Sequence, residues 1–119
     1  MGFRLKRAAV VHRFATACRA GSIGALRSML ATDVTVVCDG GGKVPAELDP
    51  VSGADAVARR VIDLVQPDTS LTVEAVNGEP GVVLRSADAV LAVVSLKFVG
   101  SKIGAVWIVL NPDKLRHWA

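Results

Sequence analysis

The residues with the most chemical potential in this chain of 119 residues are few and scattered. Asp39-Gly40-Gly41-Gly42-Lys43 is the most unusual local stretch, because three successive glycines cost backbone entropy and so imply a reason for being there. One reading is a loop whose bare amides and Lys43 meet a protein partner or an anion. The other is a bulged turn between edge strands. It is not a phosphate-binding P-loop, which needs glycine where Val37 stands and Ser or Thr after the lysine, where Val44-Pro45 follows. Asp39 is also a candidate general base, since an apolar cavity would raise its pKa toward neutrality. No second group at a telling spacing joins it, and the chain has no tyrosine to act as a phenolic oxyanion donor. His12 falls on a helix flank and His117 in the C-terminal stretch. Asp33 reads as a turn residue and Asp55 as part of a helix start. The serines fall mostly at caps and turns, with no Gly-x-Ser-x-Gly elbow. Cys18 and Cys38 lack a second cysteine or a histidine at ligand spacing, so no metal site and no cofactor is expected, and both read as buried, reduced thiols.

These groups must be positioned by helices first and strands afterwards. Val11, Phe14, Ala15 and Cys18 share one helical face, and Gly21 supplies a stop. Ser22 is placed to cap a short second helix that buries Ile23, Leu26 and Leu30. Val34–Cys38 reads as a first strand, with Pro45 and Pro50 keeping the next stretch irregular or at a sheet edge. Ser52 and Asp55 resemble a capping box before a third helix with the apolar stripe Ala54, Val57, Ala58, Val61, Ile62 and Val65, ended by Pro67. Four strands follow, with Asn77-Gly78 as a hairpin turn and Gly100-Ser101 joining the last two. The pattern predicts a single α+β domain over residues 1–119: a curved antiparallel sheet packed against N-terminal helices, forming a cone. Phe14, Ser95, Lys97 and Trp107 are then the candidates for lining a ligand cavity. With the Ser95–Lys97 face turned to solvent they are surface residues instead, and Trp107 is equally a core or wall aromatic.

Composition narrows the class. The chain is 51% hydrophobic, yet its longest apolar stretches, Ala89–Leu96 and Gly104–Leu110, are strand-sized and far below the roughly 18 residues of a membrane span. The excess apolar surface suits a homodimer interface through the sheet or a pocket for a small apolar ligand. The net charge of +3 is uneven: residues 1–32 hold Arg4, Lys6, Arg7, Arg13, Arg19 and Arg27 and no acid. Contact with an acidic surface and a solvated helix face both fit, whereas the lack of interleaved aromatics speaks against nucleic acid. Nothing at the N-terminus reads as a secretory signal, so the cytoplasm is the default location.

The order of elements resembles the cone-shaped fold shared by nuclear transport factor two, ketosteroid isomerase and SnoaL-like polyketide cyclases. Four motifs narrow this: Asp39-Gly40-Gly41-Gly42-Lys43, Pro50-Val51-Ser52-Gly53-Ala54-Asp55, Val76-Asn77-Gly78 and Asn111-Pro112-Asp113-Lys114-Leu115. In this order they resemble the SnoaL-like C-terminal domain of extracytoplasmic-function sigma factors of the sigma factor J type, from about Val11 to Trp118. The resemblance implies a regulatory module that contacts sigma factor regions or RNA polymerase. It implies that Asp39–Lys43 and Asn111–Leu115 help form the contact surface. It also implies a cavity able to hold a small ligand. The chain leaves no room for a sigma factor's two promoter-binding regions, so direct nucleic-acid binding is not expected. The alternative is a small isomerase, cyclase or hydrolase using Asp39, although the family's cavity tyrosine is missing and no matching base position carries over.

Overall fold

The computed structural model describes residues 2–39, 51–87 and 89–110, with side chains from Arg7 onward. In chain order the elements are α1 (Gly2–Ala20), α2 (Ile23–Met29), β1 (Leu30–Asp39), β2 (Val51–Ser52), α3 (Ala54–Leu64), β3 (Thr69–Val76), β4 (Glu79–Ser86), β5 (Ala89–Val99) and β6 (Lys102–Val109).

The α1 face predicted from spacing is the face that packs: Val11, Phe14, Ala15, Ala17 and Cys18 are all buried. Gly21, at φ 65°, turns the chain out of α1 in the left-handed conformation that suits glycine. Ser22 caps α2 as expected, its Oγ accepting the Ala25 N–H at 3.2 Å. Leu30 is buried as the first residue of β1, not on α2. The expected capping box on α3 does not form. Ser52 is spent in β2, opposite Thr35, and Gly53 takes the N-cap position with no side-chain bond. Asp55 instead pairs with Arg59 at 2.9 Å and Arg27 at 3.3 Å, tying α3 to α2. These exposed contacts hold the Asp55 carboxyl below its ordinary range, chiefly through the Arg59 hydrogen bond.

The strands form one curved, unclosed sheet in the order β2-β1-β6-β5-β4-β3. β3 to β6 make the expected antiparallel meander. One pairing departs from the all-antiparallel expectation: β1 lies parallel to β6, with Val37 opposite Trp107 and Asp39 opposite Val109. The Asn77-Gly78 turn has φ 53° and 81°, the double left-handed geometry of a type I′ hairpin. Register shifts in the β1–β6, β4–β5 and β5–β6 pairings bend the sheet. Gly81 lets β4 and β5 approach, for a Cβ there would lie 2.7 Å from the Val94 carbonyl oxygen.

The two sheet faces are unlike. The inner face, under the helices, sends Val34, Val36, Val82, Leu84, Val94, Leu96, Val106 and Ile108 into one core with Phe14, Leu26, Val57 and Val61. A smaller cluster on the outer face joins Val76, Val83 and Val93, with Val90 and Val109 against it.

Candidate protein-contact surface

The outer face is built by alternation along the strands. On β5 the residues Ala92, Val94 and Leu96 point inward, which sends Val93, Ser95 and Lys97 outward. On β6 the inward Val106 and Ile108 leave Ala105, Trp107 and Val109 outside, and on β1 the inward Val34 and Val36 leave Thr35, Val37 and Asp39. Register then assembles rows: Val37–Trp107–Ser95, Thr35–Ala105–Lys97 and Asp39–Val109–Val93–Val83. Trp107, 45% exposed, stands at the middle of this surface. Toward the β3 edge a polar cluster bounds it. Arg85 Nη1 donates to Glu74 Oε2 at 2.6 Å and to Thr72 Oγ1 at 3.0 Å, while the Thr72 hydroxyl also donates to Glu74. The Arg85 hydrogen bond is the main reason the Glu74 carboxyl sits below its ordinary range.

At one end of this face Asp39 and Leu110, the last described residues before residues 40–43 and 111–115, are neighbours. The Leu110 N–H donates to the Asp39 carbonyl oxygen at 2.7 Å, extending the parallel ladder past β6. The segments that begin after Asp39 and after Leu110 therefore start from adjacent positions at the same sheet end. Gly40, Gly41, Gly42 and Lys43 lie outside the described residues, as do Asn111, Pro112, Asp113, Lys114, Leu115, His117 and Trp118.

The expected cavity residues divide between the faces. Phe14 is 1% exposed in the inner core, while Ser95, Lys97 and Trp107 share the outer face, so the sheet separates them. Asp39 is half-buried on the outer register, beside Val109. His12 is exposed on α1. Cys18 is buried, and desolvation pushes its thiol up to about 12, whereas Cys38 is half-buried against the core; both are free. Among the described residues no cluster of three or more His, Cys, Asp or Glu side chains could hold a metal ion, and no helix is long and apolar enough to cross a membrane. Sequence reading missed Val37, Val83, Val93 and Val109 as outer-face residues. Their strands are apolar on both sides, so hydropathy alone does not say which side faces the helices.

Helices on one face of a bent six-stranded sheet, in this element order, define the cone fold of the nuclear-transport-factor-two type. Solved structures agree. An NTF2-like protein from Mesorhizobium loti superposes with a TM-score of 0.63 at 16% identity, over 91% of this chain and 93% of that one. A ketosteroid-isomerase-type protein from Kribbella flavida gives a TM-score of 0.65 at 18% identity, over 89% and 78%.

Within that class the chain is homologous to the C-terminal domain of the extracytoplasmic-function sigma factor SigJ of Mycobacterium tuberculosis. Identity to the curated sequence is 33% over 117 residues, 88% of this chain, and the crystal structure of SigJ superposes with a TM-score of 0.70 at 29% identity over 92% of this chain and 44% of that one. The chain spans 38% of the length of that curated relative. No protein-family model matches.

Proposed function

We propose that this chain is a sigma-factor-associated regulatory domain that modulates sigma factor engagement of RNA polymerase through protein contact. The observation that carries this reading is its 33% identity with SigJ across 88% of its own length. The hydrogen bond between Leu110 and Asp39 supports a contact surface at that end of the sheet, since both flanking motifs start from it. The outer face, with Trp107 at its centre and apolar neighbours on three strands, is proposed as a homodimer interface, distinct from the sigma contact. We place the domain in the cytoplasm, where its proposed partners act.

The experiment is capture of purified sigma regions and core polymerase on the immobilised chain, followed by the same capture with Asp39→Ala and Lys43→Ala. Retention of a sigma fragment by the parent and its loss in either variant supports the reading. No retention of either partner overturns it.

A further inference from the structure

β3 is the last strand of the sheet, and among the described residues one long side of it has no neighbouring strand. The type I′ turn at Asn77-Gly78 makes Val76 and Glu79 a hydrogen-bonded pair. Counting back by twos, Glu74 and Thr72 direct their backbone groups to β4. Ala75, Val73 and Leu71 direct theirs to the open edge. An independent contact agrees: the Leu71 carbonyl oxygen accepts from Arg19 Nη2 of α1 at 2.6 Å.

This edge lacks several of the usual defences. β3 holds no proline and no lysine, and its pairing with β4 runs without a register shift. Arg19 covers the Leu71 carbonyl, and among the described residues the edge-facing backbone groups of Val73 and Ala75 remain as a ladder that fits an extended polypeptide. At the Leu71 end the edge runs into a cavity of about 310 Å³ lined by Arg19, Ile62, Val65, Gln66, Thr69 and Leu71, among others. No carboxylate lines it among the described residues. Ile62, Val65 and Leu71 make an apolar wall, and Arg19 has four guanidinium N–H groups beyond the one used on Leu71.

We propose that the β3 edge and this cavity bind an extended segment of a partner polypeptide by strand addition. The segment hydrogen-bonds Val73 and Ala75, seats an apolar side chain against Ile62 and Val65, and brings a carboxylate to Arg19. A second copy of this chain fits less well. If two β3 edges met with Val73 facing Val73, each Leu71 would face Ala75 of the other copy. Glu74, beside Ala75, is already held by Arg85 and offers Arg19 no free carboxylate.

The test is fluorescence anisotropy with a labelled pentapeptide of alternating valine and threonine ending in aspartate, against its counterpart ending in asparagine amide. Amide chemical shifts of the chain are followed in the same titration. The aspartate peptide should bind about tenfold tighter, as expected for one charge-assisted hydrogen bond. Shifts should concentrate at Val73 and Ala75. Arg19→Gln should remove the preference, and Ala75→Pro should abolish binding of both peptides. Shifts elsewhere, no binding, or an unchanged preference in Arg19→Gln would overturn the proposal, and the shift map on the parent decides even if Ala75→Pro fails to fold. Self-association of the chain that Ala75→Pro removes would assign the edge to a second copy and also overturn it.

Discussion

Leu110 and Asp39, at the ends of the parallel β6–β1 pair, are joined by a backbone hydrogen bond of 2.7 Å. The bond fixes where the two flanking motifs begin, at one end of the sheet. Leu110→Pro deletes the donor and leaves the Asp39 carbonyl without that partner. The expected loss is about 1 kcal/mol, the usual net worth of such a bond. Urea unfolding should show a lower midpoint with an unchanged slope. A variant that matches the parent's midpoint would show that the bond does not hold the pair.

Glu74 and Arg85 give the fold a modest dependence on acid. The Glu74 carboxyl is held below its ordinary value of 4.5, first by its hydrogen bond from Arg85 and then by that from Thr72. A depressed acid contributes stability that is present above its unfolded pKa and is lost as pH falls through the folded value. The pair is partly exposed, so solvent screening limits it to about 1 kcal/mol or less. Thermal melts from neutral pH to well below 4.5 should therefore show the parent losing slightly more stability than Glu74→Gln. Equal losses in the two proteins would mean that the ion pair contributes nothing to the fold.

The helices and hairpins were legible because local spacing determines them. The Val11, Phe14, Ala15 and Cys18 stripe, the Ser22 cap and the Asn77-Gly78 turn each depend on residues a few positions apart. The parallel β1–β6 pairing was not legible, since it joins distant segments and leaves no local mark. Ser52 read as a cap because its pairing with Thr35 is equally non-local. The site suffered most from this. Phe14 and Trp107 both read as candidates for lining a cavity, and only the alternation of β6 against the inner core puts the sheet between them.

The two thiols should differ in reactivity. Burial pushes the Cys18 thiol from 9.0 to about 12, whereas Cys38 is half-buried. Because the thiolate is the reactive form, Cys18 should resist alkylation at neutral pH until the chain unfolds, while Cys38 is modified first. The raised value also means that the folding stability held by Cys18 is intact below pH 9.0 and falls as pH rises from there toward 12. Mass spectrometry after iodoacetamide treatment, with and without denaturant, reads the order. Equal labelling of both cysteines in the native protein would contradict the buried position of Cys18.

Phe14 and Trp107 provide the sharpest separation of stability from assembly, because the sheet lies between them. Phe14 is 1% exposed among Val11, Leu26 and the inner strands, so Phe14→Ala leaves a cavity and should cost about 3–5 kcal/mol. Trp107 is 45% exposed, so Trp107→Ser removes a side chain that the monomer only half encloses. It should cost about 1–2 kcal/mol in unfolding experiments, well below Phe14→Ala. If the outer face joins two copies, the same change should convert a dimer to a monomer in sedimentation, at a concentration where the parent self-associates. Self-association that survives Trp107→Ser would move the interface off this face. A large loss of stability would mean that Trp107 is packed as a core residue after all.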